Sequence, residues 1–148
     1  MPMIRYSYFE PADLFPVLRV VNTLFQYNYH PSIFLACYEN WKEGFIVAKF
    51  SSKLVGFIMG KKLDRQARIL LLGVLPQYQG RGIGTTLLSH FEKEVANLNI
   101  SRIFLEVRIS NVKAIRFYQL HGFTKSGYIS AFYKDGCDAL VMTKDLNS

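Results

Sequence analysis

The run Leu70-Leu71-Leu72-Gly73-Val74-Leu75-Pro76-Gln77-Tyr78-Gln79-Gly80-Arg81-Gly82-Ile83-Gly84-Thr85 constrains the fold more than any other part of the chain. An apolar strand passes through a glycine-rich turn into a helix whose apolar residues Ile83, Leu87, Phe91, Val95 and Leu98 recur at helical spacing. One face of that helix is therefore predicted to be buried, which holds the turn rigidly. The N–H groups of a first helical turn lack partners and converge on one point, the helix dipole favours negative charge there, and glycines let an anion reach the backbone. The segment reads as a preorganised cradle for a pyrophosphate.

Two glycine-rich phosphate loops fail on residues. The nucleotide P-loop needs Lys-Ser/Thr directly after its last glycine and the dinucleotide fingerprint needs G-x-G-x-x-G, whereas Gly80-Arg81-Gly82-Ile83-Gly84-Thr85 offers neither. What remains, Gln79-x-x-Gly82-x-Gly84, resembles the Q/R-x-x-G-x-G/A signature of the GNAT superfamily of acetyl-coenzyme A dependent N-acetyltransferases, and Val74-Leu75-Pro76-Gln77-Tyr78 resembles its V-x-P-x-Y lead-in. A second block, Leu105-Glu106-Val107-Arg108-Ile109-Ser110-Asn111 with Ala114, Phe117-Tyr118 and Gly122-Phe123, is similar to the strand–helix–strand segment of the RimI/Ard1-type protein N-terminal acetyltransferases. Those enzymes acetylate the α-amine of proteins, including ribosomal proteins. The two blocks cover roughly residues 66–125.

At 148 residues the chain has the length of one domain, 1–148, and with 50% hydrophobic and 15% aromatic residues it is globular rather than disordered. The apolar runs Leu54–Met59 and Ile69–Leu75 are far short of the roughly 20 residues a bilayer span needs, and the N-terminus lacks the apolar centre of a signal peptide. A soluble, cytoplasmic protein without a membrane partner is expected. Cys37 and Cys137 form no disulfide framework, and neither they nor His30, His90 and His121 show metal-ligand spacing, so no metal is predicted. The net charge of +7 draws polyanions, of which coenzyme A and the ribosome are two. No basic–aromatic motif marks a specific nucleic-acid site, which leaves transient ribosome association open.

The order of elements predicts a mixed α/β fold. Strands are expected at Ile4–Phe9, Gly44–Phe50, Leu54–Gly60, Leu70–Val74, Arg102–Val107, Phe123–Ser130 and Ala139–Thr143. Helices are expected after Pro11 and Asp13, from Pro31 to Asn40, from Ile83, and over Asn111–His121 with Gly122 closing the last. The resemblance implies the GNAT arrangement: a mostly antiparallel central sheet of about seven strands, the fourth and fifth splayed apart, flanked by about four helices.

Acetyl transfer from a thioester to an amine demands a neutral amine, a stabilised oxyanion and a proton for the departing thiolate. Gly73 interrupts an apolar strand, which marks either a bulge or a place where a ligand meets the backbone. The resemblance assigns the acetyl and pantetheine contacts to Leu72, Gly73 and Val74, with the Val74 N–H as oxyanion donor, and the phosphate contacts to Gln79, Gly80, Arg81, Gly82, Ile83, Gly84 and Thr85. It gives Asn111 a hydrogen bond to the cofactor, although Ser110-Asn111 also reads as a helix N-cap.

Glu106 is the only acid in the strand Ile103–Val107, where a carboxylate is costly unless it is paired or functional. The resemblance makes it the general base; a Glu106–Arg108 pair is the structural alternative. An ordinary carboxyl pKa of about 4.3 lies well below an α-amine near 8, so desolvation or a water relay has to bridge the difference. Tyr118 matches the tyrosine that protonates the thiolate in the family, against core packing as its plain reading. In Phe25-Gln26-Tyr27-Asn28-Tyr29, which resembles the segment that grips a peptide's first residues, Tyr29 is the matching aromatic, and Tyr133 closes the opposite wall. Three departures put the preferred peptide in question: Arg68 stands where some relatives carry a catalytic tyrosine, some have histidine at the place of Glu106, and the usual tyrosine pair is Phe132-Tyr133 in a shortened hairpin. An acceptor that is a small amine or a lysine side chain, or a non-catalytic acyl-coenzyme A binding subunit, are the competing functions. No acid occurs in Gln26–His30 or Phe132–Lys134, which argues against polyamines.

Overall fold

A computed structural model describes residues 3–25 and 29–147. Seven strands, β1 (Ile4–Tyr8), β2 (Phe45–Phe50), β3 (Lys53–Lys62), β4 (Gln66–Val74), β5 (Arg102–Arg108), β6 (Thr124–Ile129) and β7 (Ala139–Asp145), form one sheet in the order β1-β2-β3-β4-β5-β7-β6. Neighbours are antiparallel except β4 and β5, which run parallel. Four α-helices cover the sheet: α1 (Leu14–Leu24), α2 (Pro31–Asn40), α3 (Ile83–Asn97) and α4 (Val112–Leu120). This is the predicted arrangement.

Burial explains the layers. β3 is buried along Leu54–Gly60, so its near-continuous apolar run has helices on both faces. Val17, Val20 and Val21 of α1 pack on one face, and Ile83, Leu87, Leu88, Phe91 and Val95 of α3 pack on the other. Glycines set how close the helices come. A Cβ on Gly60 would overlap the Phe91 ring of α3, and one on Gly73 would lie 2.9 Å from Leu24 Cδ1 of α1.

Leu98 departs from the predicted stripe. It is the C-cap of α3, 40% exposed, because Asn99 takes a left-handed φ of 59° and ends the helix. The Asn99 N–H donates to Ala96 O at 2.9 Å and the Ile100 N–H to Val95 O at 3.3 Å, which is a Schellman closure with asparagine in the place usually taken by glycine. At the end of α4 Gly122, with φ of 90°, does the same for Tyr118 and Gln119.

The feature that positions the site is the short contact between the parallel strands. β4 and β5 pair only at Gln66↔Arg102, Ala67↔Ile103 and Arg68↔Phe104, and then separate. The cause lies in β4. Met59 pairs with Leu71 while Gly60 pairs with Ile69, which leaves Leu70 as an extra residue in the β3–β4 ladder. A bulge bends its strand and increases local twist, and here it turns β4 away from β5 just past their last paired residues. The bulge thus lies at Leu70 and not at Gly73, for which it is one of two readings; Gly73 stays in register opposite Phe57.

Candidate active site

After β4 the chain makes one 3-10 turn at Pro76–Tyr78 and enters α3 through Gly80 and Gly82, whose φ values are +78° and +82°. Those left-handed backbones favour glycine, and a Cβ on either residue meets nothing within 4 Å, so the space above the turn is open. The Gly82 carbonyl accepts from the Thr86 N–H at 3.0 Å, leaving the N–H groups of Ile83, Gly84 and Thr85 without helical partners. The cradle is thus three amides at a helix start with room for an anion.

The wall beside it is backbone. The Leu75 N–H donates to Val55 O at 2.8 Å, which makes that pair the hydrogen-bonded kind. Antiparallel pairs alternate, so the main-chain groups of Gly73 face β3, whereas those of Val74 and Leu72 face the gap left by β5. In that gap the Val74 carbonyl accepts from Gln79 Nε2 at 2.8 Å, and Gln79 Oε1 accepts from Lys113 Nζ at 2.6 Å, tying the cradle to the start of α4. Asn111 caps α4 by accepting the Ala114 N–H at 3.2 Å, as its plain reading predicts, and it also lines the gap.

Two grooves meet in the wedge. One, of about 510 Å³, contains the cradle, Leu72, Val74 and Phe117; the other, of about 720 Å³, contains Tyr29, Arg68, Glu106 and Tyr133. They share Phe25, Leu72, Asn111, Ala114 and Tyr118, so the two grooves adjoin and Tyr118 lies on their common wall. Tyr118 is 7% exposed and its hydroxyl has no hydrogen-bond partner among the described residues. Burial pushes its phenol well above the ordinary range, and the proton stays on oxygen.

On the second groove, Glu106 Oε1 accepts from Arg68 Nε at 2.8 Å, with the carboxylate side chain 11% exposed and the arginine 31%. Arg108 pairs instead with Asp135 at 2.9 Å and lies 4.4 Å from the centre of the Tyr133 ring. The ion pair of Glu106 is therefore across the wedge, to β4, where a pair along its own strand had been the alternative. Tyr133 is half-buried and its phenol is pushed up to about 12, chiefly by burial. Burial also raises Tyr29, which packs edge-on against Phe34 with ring centres 6.3 Å apart. Gln26, Tyr27 and Asn28, which were also placed in the peptide-gripping segment, lie outside the described residues.

Residues 13–123 match the profile of the Acetyltransferase (GNAT) family, well over half of the chain. The protein is a GNAT acetyltransferase. An uncharacterised N-acetyltransferase of Methanocaldococcus jannaschii is 35% identical over 92% of this chain and 88% of its own. An N-alpha-acetyltransferase of Saccharolobus solfataricus is 30% identical over 90% and 88%. Among solved structures, Ard1 from Thermoplasma volcanium superposes with a TM-score of 0.93 at 32% identity, covering 97% of both chains. The reaction is accordingly N-acetyl transfer from acetyl-coenzyme A.

Of the cofactor residues predicted for this GNAT chain, Leu72, Gly73, Val74, Gln79, Gly80, Gly82, Ile83, Gly84, Thr85 and Asn111 line the first groove. Arg81 is not among its lining residues; its guanidinium sits 5.3 Å from the Tyr78 ring centre. Tyr118, Glu106, Tyr29 and Tyr133 line the second groove. Lys113 in the first groove has no counterpart among the sequence-based site residues, whereas Phe25, at the junction, belongs to the segment read as peptide-gripping and Phe117 to the Phe117-Tyr118 motif. Lys113 carries no motif, and only the three-dimensional closure of α4 on Gln79 reveals it. Among the described residues no group of three or more His, Cys, Asp or Glu is placed to hold a metal, and no helix is long and apolar enough to cross a membrane. Cys37 and Cys137 are free thiols.

Proposed function

We propose that this protein acetylates the N-terminal α-amine of proteins or peptides by direct attack within a ternary complex. The observation that carries the proposal is the pair of adjoining grooves: an anion cradle in one, aromatic residues with one carboxylate in the other, and on their common wall a buried phenol without a hydrogen-bond partner among the described residues. Two features fit the cofactor. The space above Gly80 and Gly82 is open, and the Tyr118 hydroxyl, which a buried setting leaves unsatisfied at a cost of about 1–3 kcal/mol, awaits a ligand atom.

Acetyl-coenzyme A, when bound, supplies the thioester whose acetyl group passes to the amine while coenzyme A leaves as the thiol. Ile83, Gly84 and Thr85 offer their N–H groups to phosphate, and Leu72 and Val74 offer main-chain groups further along the wedge. The Val74 N–H stabilises the charge that develops on the carbonyl oxygen. Glu106 takes the proton that the ammonium must lose before its nitrogen lone pair can attack, directly or through one water. Tyr118 gives its proton to the sulfur as the C–S bond breaks, and the second proton, which the nitrogen sheds on becoming an amide, restores the phenol. The burial that raises the phenol's proton affinity raises that of a thiolate in the same setting, so the transfer does not run against a full desolvation penalty.

An α-amine suits this arrangement better than lysine. Near pH 7 roughly a tenth of an α-amine of pKa about 7.7–8.0 is neutral, against fewer than about one lysine ε-amine in a thousand. Arg68, Arg108 and Lys134 outnumber the single acid Glu106 in the lining of the acceptor groove, which disfavours polyamines and other polycations. The same proposal includes a cytoplasmic setting and transient docking on the ribosome, supported by the net charge of +7 and tested by salt-sensitive co-sedimentation. The direct test of the base is Glu106→Gln, which is expected to lower kcat with peptide about 10²-fold or more while leaving acetyl-coenzyme A affinity nearly unchanged. Undiminished turnover at neutral pH would remove Glu106 from the role.

A further inference from the structure

Arg68 lies at the vertex of the wedge. It is the last residue of β4 paired with β5, opposite Phe104, and two residues further along β5 its Nε–H reaches Glu106 Oε1 at 2.8 Å. Among the described residues the β4–β5 backbone ladder ends here, and the Arg68–Glu106 ion pair is a side-chain bridge at the point where backbone pairing gives way to the substrate cleft. We infer that Arg68 is a positioning residue for acetyl transfer: its guanidinium fixes the Glu106 carboxylate by one oxygen and leaves the other to take the amine proton. The inference rests on the reading of Glu106 as the base.

Three observations support it. Among the described residues Glu106 is the only acid lining the acceptor groove, and its side chain is only 11% exposed, a setting in which a carboxylate without a partner is costly. The pair is not a surface ornament of the kind that contributes little, because both members line the groove and neither is fully exposed. A guanidinium offers N–H donors and no acceptor atom, so Arg68 can hold the carboxylate but not receive the amine's proton. Its effect on the reaction must therefore pass through charge and geometry. In the reaction the first proton moves from the ammonium to Glu106, the nitrogen lone pair forms the C–N bond, the C–S bond breaks as Tyr118 protonates the sulfur, and the second proton, shed by the nitrogen as it becomes an amide, restores the Tyr118 phenol; Arg68 neither gains nor loses a proton in any of these steps.

The test compares Arg68→Gln, Arg68→Lys, Glu106→Gln and the Arg68→Gln/Glu106→Gln double variant in the full chain, measuring kcat and KM with a peptide, acetyl-coenzyme A affinity by calorimetry, and Tm. Arg68→Gln is expected to lower kcat about tenfold or more, in line with the loss from small misplacements of a catalytic group, with cofactor affinity within about twofold of the parent. Arg68→Lys is expected to recover a substantial part of kcat, since a lysine ammonium can reach the same carboxylate oxygen. The double variant is expected to be no slower than Glu106→Gln alone, because a residue acting only through Glu106 has nothing left to position. Parent-like kcat in Arg68→Gln alongside a slow Glu106→Gln would overturn the inference and leave the base assignment standing. Full multiplication of the two losses in the double variant would also overturn it. A fully active Glu106→Gln would instead remove the base assignment on which it rests. If Arg68→Gln lowers Tm sharply, the lysine variant carries the comparison, and failure of lysine to restore kcat in a folded protein counts against the inference.

Discussion

Replacing Tyr118 with phenylalanine separates stability from activity in a way few substitutions do. The side chain is 7% exposed, its ring stacks edge-on with Phe117 and Phe123 at centroid distances of 5.3 and 5.4 Å, and its hydroxyl finds no partner among the described residues. Phenylalanine keeps the ring contacts and deletes an oxygen whose unsatisfied burial costs about 1–3 kcal/mol. The ligand-free variant should therefore be as stable as the parent or up to about 2 kcal/mol more so, a rise in Tm of up to roughly 4–8 °C for a domain of this size. Turnover should move the other way. Loss of a positioned general acid costs about 10²–10⁴ in rate, visible as a fall in kcat with the cofactor's dissociation constant little changed. Thermal melts without ligand, calorimetry with acetyl-coenzyme A and steady-state thiol release make up the assay. A variant destabilised by several kcal/mol would mean the hydroxyl is bonded in the folded protein, and a variant with parental kcat would end its assignment as the acid.

The cradle makes a paired prediction. Gly82→Ala, at φ +82°, is expected to cost about 1 kcal/mol or more in backbone strain and to weaken acetyl-coenzyme A binding, whereas Gly84→Ala, whose Cβ would sit 3.5 Å from the Phe117 ring, should bind the cofactor normally in calorimetry. At alkaline pH the raised phenols have a thermodynamic consequence. Tyr8 and Tyr133 titrate near 12 in the folded protein and near 10 when unfolded, so between those values the unfolded state binds fewer protons and stability falls as pH rises. Denaturant titrations from pH 9 to about 12 should show that decline, and Tyr133→Phe should flatten part of it. Gly73→Ala, whose Cβ would lie 2.9 Å from Leu24 Cδ1, should displace α1 and lower stability by about 1–3 kcal/mol in equilibrium unfolding.

How far the sequence reaches can be judged at particular residues. The cradle was legible because its chemistry is local: glycines at fixed offsets, an apolar strand before and an apolar stripe after, all inside one stretch of chain. Asn111 was legible as a helix cap from Ser110-Asn111, and Tyr118 was singled out by the resemblance of Phe117-Tyr118 and Gly122-Phe123 to the family's motif, since on the residues alone it reads as core packing. Leu98 was misread because the periodicity of a helix carries no mark of its end, which here depends on one asparagine entering the left-handed region. Of the two readings of Gly73, a bulge or a backbone contact for a ligand, the bulge is not found there: it falls at Leu70, which is extruded by the register of β3 against β4 and has no signature of its own. The partner of Glu106 could not be found by looking along β5, since Arg68 is 38 residues away and meets it only through the parallel pairing of β4 with β5. Such contacts follow from topology, which local patterns do not encode.

The central claim is that one wedge holds a thioester from one mouth and a protein α-amine from the other. A peptide carrying both a free N-terminus and an internal lysine, incubated with acetyl-coenzyme A and this protein and then sequenced by tandem mass spectrometry, tests it most directly, with free lysine and spermidine run alongside. The account predicts acetyl on the first residue's nitrogen and none on the lysine or the small amines. Acetyl found on the lysine side chain or on spermidine in preference to the α-amine would contradict it.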